Sequence, residues 1–205
     1  DYTQANYYFT DSVYFKTDTI QFDNIAFKDV YNNTGDFNGV LVHDNFKNMI
    51  YDLDINSPKI LALNTTARHN EMFYGDAFAN CKLDLTGQGL KVALKGSATT
   101  LKGTNINISM DYEGDVEQYD FVEFITTEKD DKQEQFFTNK TKSYFTINLT
   151  VEATPEAKVQ LVYNSSIGDV IKAQGEGILL FEMDKDENIF LSGDYLVTEG
   201  DYLFT

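Results

Sequence analysis

Period-two alternation of apolar and polar residues constrains this chain more than any other feature. Leu83, Leu85, Val92 and Leu94 alternate with Lys82, Asp84, Lys91 and Lys95. Ile106, Ile108, Met110 and Tyr112 alternate with Asn105, Asn107, Ser109 and Asp111. Phe145, Ile147, Leu149 and Val151 alternate with Thr146, Asn148, Thr150 and Glu152. A strand sends successive side chains to opposite faces, so each run predicts a strand with one apolar and one wet face. Apolar runs recur about every 8–15 residues with no helical segment between them, which predicts an all-β chain and a long antiparallel meander. An α/β fold is excluded on the same ground.

Earlier strands are expected at Ser12–Lys16, Phe37–His43, Met49–Ile55 and Lys59–Ala67, with a strand-turn-strand over Thr19–Phe27. Two places break the rhythm. Glu71–Ala79 predicts a turn entering the sheet, and the charge-dense Asp115–Phe137 predicts a loop or excursion.

Charge narrows the function. The 205 residues carry 33 acidic and 16 basic side chains, for a net charge of −17. Phosphate backbones are bound by clustered Lys and Arg; here Arg68 is the only arginine and no basic run occurs, so nucleic acid is set aside. Anionic headgroups would repel such a surface as well. No run approaches the roughly 20 apolar residues of a spanning helix. The chain begins mid-pattern, without a signal peptide, and is expected to be a single β-rich piece (1–205) of a larger protein.

Candidate chemistry is sparse. Asp184–Asn188 resembles the start of a calcium loop, but that loop needs glycine sixth and glutamate twelfth, where Ile189 and Tyr195 stand. A polar hairpin turn is expected instead. Nothing in the 26-residue separation of His43 and His69 demands a metal site. Cys81 is the only cysteine, so no intrachain disulfide forms, and a small buried hydrophobe is expected there. No nucleophile motif and no distinctive carboxylate pair stands out, so neither catalytic residues nor cofactors are assigned.

The apolar stripe remains. A buried apolar side chain contributes roughly 1.5–3 kcal/mol, so something must cover this face. A second sheet would make a sandwich core, with adhesion or carbohydrate binding as its function. Acyl chains would make an open trough. Both need the same alternation.

The C-terminal stretch discriminates further. In Val151–Thr205 short apolar runs are separated by Gly168, Gly175, Gly177, Gly193 and Gly200, and Gly-Asp-Tyr occurs twice, at 193–195 and 200–202. The order is apolar strand, Gly168-Asp169, Gly175-x-Gly177, apolar strand, Gly193-x-Tyr195, Gly200-x-Tyr202-x-Phe204. This resembles the C-terminal domain of the TamB family of envelope proteins, best over 151–205 and more weakly back to about residue 80. Asn164-Ser165-Ser166 departs from the family's usual turn before the Gly-Asp.

That resemblance implies an elongated, strongly curved β-trough with an apolar concave face. It implies a non-enzymatic periplasmic module of a protein anchored in the inner membrane of a Gram-negative bacterium. The implied partners are phospholipid acyl chains moving between the membranes, and an outer-membrane barrel of the TamA or BamA type whose assembly or secretion work is assisted. On this reading Leu83, Leu85, Val92, Leu94, Ile106, Ile108, Met110, Ile147, Leu149, Ile178 and Leu180 line the trough, and Gly175, Gly177, Gly193 and Gly200 permit its curvature. An isolated piece with an exposed groove is expected to dimerise to cover it.

Overall fold

The computed structural model describes residues 3–70, 72–109, 144–164 and 169–203. Met110, Gly168 and the Asp115–Phe137 excursion lie outside the described residues. The described chain forms one sheet of twelve strands: β1 (Tyr7–Phe9), β2 (Tyr14–Phe15), β3 (Thr19–Asp29), β4 (Thr34–Asp44), β5 (Lys47–Thr65), β6 (Phe73–Gln88), β7 (Lys91–Thr100), β8 (Asn105–Ser109), β9 (Tyr144–Ala153), β10 (Lys158–Asn164), β11 (Asp169–Met183) and β12 (Ile189–Leu203).

Strands β6, β7, β9, β11, β10 and β8 form a closed ring of pairings. The registers show how the ring closes. β7 pairs with residues 79–88 of β6 and β8 with residues 73–76, and both lie on the edge opposite β5. β7 and β8 therefore run end to end in one strand position, interrupted at 101–104. Likewise β9 and β10 share one position along the same edge of β11, interrupted at 154–157. The ring encircles this interruption. β1 and β2 also share one edge of β3. Across the sheet the positions run β1/β2, β3, β4, β5, β6, β7/β8, β9/β10, β11, β12.

The interruptions fall on one line. β5 shifts register between Ser57 and Leu63, and β11 between Gln174 and Gly175, where Thr198 of β12 drops out of register. The two interrupted positions lie between them. Every strand from β5 to β12 is thus bent at the same level, and the sheet is creased across its strands. Most of the buried apolar residues gather along this crease: Ile60, Leu61, Ala79, Cys81, Ala153, Ala157 and Ala173 are each no more than 7% exposed. Most are small, because the inside of a tight fold has little room.

A crease breaks ladder hydrogen bonds, and side chains replace them. The Phe78 N–H donates to Thr104 Oγ1 at 3.0 Å, and that hydroxyl donates back to the Phe78 carbonyl at 2.9 Å. The Thr154 N–H donates to Thr100 Oγ1 at 2.9 Å, while the Thr154 hydroxyl donates to the Thr100 carbonyl at 2.9 Å. At β5, the Leu61 N–H donates to Asp29 Oδ2 and the Leu61 carbonyl accepts from the Tyr7 hydroxyl, both at 2.9 Å. Asp29 also accepts from Tyr31 and Asn33. Burial alone would raise its pKa, but these hydrogen bonds, led by the Asn33 amide, hold it below the usual carboxylate value. On β12 the Thr198 hydroxyl reaches the Gln174 carbonyl at 3.2 Å.

The direction of folding is fixed by one contact. Phe73 pairs with Ile108, and Phe181 with Leu149, so both rings project from the face that carries Leu83 and Leu85. Phe181 is level with Leu83, ten residues along β6 from Phe73. On a flat sheet that separation is roughly 33 Å along the strands, at about 3.3 Å per residue, plus about 14 Å across three strand spacings. The ring centroids stand 5.8 Å apart. The sheet is therefore folded over onto its apolar face, as a trough whose axis runs along the crease.

The meander is less regular than the sequence predicts. β9 runs parallel to β7, and β10 parallel to β8. Thr19–Phe27 is part of one strand with a bulge between Phe22 and Ile25, where Asn24 takes φ 50°. β5 unites two expected strands, and β6 runs through 73–79 where a turn is expected. At 184–188 there is the expected polar hairpin turn, with the Asp184 carboxylate accepting from Asp186 and Asn188.

The crease gives a direct test. Thr104→Val removes the hydroxyl that bridges both main-chain groups of Phe78 and is expected to cost about 2 kcal/mol in denaturant unfolding. Thr99→Val, which loses only a hydroxyl contact to the exposed Glu152, is expected to stay within about 0.5 kcal/mol.

Candidate functional site

The candidate site is the concave face. Register places Leu53 and Ile55 of β5, Leu83 and Leu85 of β6, Val92 and Leu94 of β7, Ile147, Leu149 and Val151 of β9, and Leu179, Phe181 and Met183 of β11 on it. These form one wall. Beyond the crease the opposite wall carries Phe73, Ile106, Ile108, Val159, Leu161 and Ile171. The two walls belong to the same strands, bent between them.

Of the residues expected to line the trough, Leu83, Leu85, Val92, Leu94, Ile147 and Leu149 lie on one wall, with Ile106 and Ile108 facing them from the other. Ile178 and Leu180 do not join them. They pair with Glu152 and Thr150 on the outer face, and Ile178 is 66% exposed there. Their strand is apolar at both parities over 178–181, so alternation gave no phase. Leu179 and Phe181 take the inward places.

The lining is half-buried. Leu83, Leu85, Val92, Leu94, Ile106, Ile108, Ile147 and Leu149 are all intermediate in exposure. Full burial is found at the crease, in a cluster of Phe27, Ile60 and Cys81 packed by Phe37, Ile55 and Leu83, and at Ile25 of β3 and Met183 of the β11 wall. Apart from Met183, the named wall residues are thus not closed into a dry core. The outer face opposite is polar over β5–β9, with Asp52, Asp54, Lys82, Asp84, Lys95, Asn148 and Glu152 exposed. Asp54 faces Asp84 across the strand pair, and its neighbour's hydrogen bond and charge raise its pKa.

Glycine placement follows the curvature. The described in-strand glycines, Gly35, Gly39, Gly75, Gly87, Gly96, Gly175, Gly177, Gly193 and Gly200, all sit at concave-face positions. At Gly96, with φ +147°, an added Cβ would stand 2.1 Å from the Lys82 carbonyl oxygen. At Gly177 it would stand 2.1 Å from the Asp194 carbonyl oxygen. Tyr195 pairs with Gly177, and its ring carbon lies 3.0 Å from where a Gly175 Cβ would be, so the ring covers the bare backbone. Its hydroxyl is enclosed with no hydrogen-bond partner among the described residues, and burial raises its pKa. Tyr202 pairs with Ile171 on the same face and Gly200 with Ala173. Asp169 is the first residue of β11.

His43 stacks on Phe46 at 4.4 Å, and the ring nitrogen of His69 accepts from the Thr66 N–H. Each is engaged in its own turn. Cys81 is buried at the crease. The crease residues Asp29, Thr100, Thr104 and Thr154 have no sequence signal of their own, since Thr is common in any strand.

Gly177→Ala is expected to destabilise by about 2 kcal/mol or more, because its Cβ meets main chain that must move. Gly200→Ala, whose nearest atom is 3.2 Å away, is expected to remain within about 1 kcal/mol in the same unfolding assay.

A family model described as the TamB C-terminal domain matches residues 23–205. It reaches well before residue 80, into strands whose sequence carries alternation but no glycine motif. Neither the curated proteins nor the solved structures yield a match. With nearly its whole length matched, folded into a curved all-β sheet, the chain belongs to the TamB C-terminal domain family.

Proposed function

We propose that this chain is a non-enzymatic periplasmic module whose trough holds phospholipid acyl chains and guides them between the inner and outer membranes. The observation that carries this reading is the half-buried apolar lining on the inside of a creased sheet, with charged residues on the outside. Each CH₂ leaving water gains roughly 0.8 kcal/mol. A continuous apolar lining keeps that gain nearly constant along the axis, so a chain diffuses without deep traps. Headgroups remain in water at the open seam. Membership of the TamB family supports the envelope setting.

A second role within the same setting is supported by β12. Among the described residues this 15-residue strand pairs only with β11, and Leu191, Leu196 and Val197 are more than half exposed. Such an edge suits an incoming strand of an outer-membrane protein. An outer-membrane barrel of the TamA or BamA type is the partner that fits.

Native mass spectrometry of the chain purified from bacterial envelope, with lipid extraction, tests the main reading. Phospholipid is expected to co-purify, to be lost with Leu94→Asp or Leu149→Asp, and to persist with Ile178→Asp on the outer face. A compact monomer free of lipid would overturn the acyl-carrier reading and favour a closed sandwich.

A further inference from the structure

We propose that Phe73 and Phe181 form an aromatic latch across the open seam of the trough and set the rate at which acyl chains enter and leave. The inference rests on the acyl-carrier reading of the concave face.

Phe73 opens β6 at the rim of one wall. Phe181 stands two residues before the end of β11, on the other wall and level with Leu83. Their rings meet edge to face, with centroids 5.8 Å apart and planes at 84°. Among the described residues β6 and β11 share no backbone pairing, so the closure is made by side chains alone. The other aromatic pairs serve elsewhere. Tyr7–Phe27, Phe9–Phe37 and Phe22–Phe37 lie on the N-terminal strands, and Tyr31–Phe78 lies at the outside of the crease. The lining around the latch is mostly aliphatic.

Both rings are half-buried, so neither is locked into a packed core. An edge-to-face pair adds attraction beyond area burial while leaving each ring free to turn about its side-chain bonds. Such a pair shifts an open–closed equilibrium by roughly two- to twelve-fold. An acyl chain passing the seam here replaces one ring's partner with its own methylenes. The closed latch therefore slows exchange.

The chain contains no tryptophan, so one introduced Trp reports alone. Leu94→Trp on the wall would be mixed with vesicles of phosphatidylcholine brominated on its acyl chains, and quenching followed by stopped flow. Adding Phe73→Ala is expected to speed quenching by roughly two- to twelve-fold. Phe73→Leu, which keeps bulk without the ring, is expected to do the same and covers the case in which the alanine variant folds poorly. Equal rates with and without Phe73 would overturn the latch while leaving the carrier reading intact. Absence of any quenching at position 94 would overturn both. A lipid-free check uses Phe181→Trp, whose emission is expected to shift to the red when Phe73 becomes Ala. Unchanged emission means the rings do not meet in solution, and the latch falls whatever the lipid does.

Discussion

A sheet folded across its strands must break its own hydrogen-bond ladder, and everything in this molecule depends on how those broken bonds are replaced. A main-chain group buried without a partner costs about 1–3 kcal/mol. At the crease the substitutes are side chains standing within reach: Thr104 for Phe78, Thr100 with Thr154 for each other's backbone, and Asp29 with Tyr7 for Leu61. The hydroxyls are short enough to sit inside a bend and can both donate and accept. Alanines fill the remaining inner positions. Without this row the strands would straighten, and the two walls would become one flat sheet with an uncovered apolar face.

The bend in turn gives the face its meaning. On a flat sheet the alternating stripe would invite a second sheet or aggregation. Folded over, it becomes the inside of a trough whose lining is shielded from bulk water yet remains half-exposed. Charge is segregated to the outside, where Asp54 and Asp84 face each other despite their repulsion. Concave-face glycines complete the arrangement, since inner positions crowd together as a sheet curls. The repeated Gly-x-Gly and Gly-x-Tyr order follows from this crowding: Gly175 and Gly177 leave space, and Tyr195 occupies it.

Strand content, the inward phase of the central strands and the family were legible in the sequence, because alternation and glycine order are one-dimensional signals. Leu94, Ile108 and Leu149 could be assigned a common face from parity alone. Ile178 and Leu180 could not, because Val170-Ile171 and Ile178–Phe181 are apolar at successive positions and hold no phase. Parallel pairing of β7 with β9 was hidden too, since strand direction depends on where the chain returns, and alternation reads the same in both directions. The crease was invisible for a different reason. It is a line across six strand positions, drawn by residues as far apart as Ser57 and Thr198, and no local pattern connects them.

Site-directed spin labelling tests the central claim, that the concave face is an accessible apolar lumen. Single labels at positions 94, 108 and 149, in a Cys81→Ala background, would be compared with labels at 84 and 178 by EPR before and after addition of phospholipid vesicles. The account predicts that labels at 94, 108 and 149 become less mobile and more accessible to oxygen when lipid is added, while 84 and 178 do not change. Inner labels that are immobile from the start and indifferent to lipid would mean a closed core, and would contradict it.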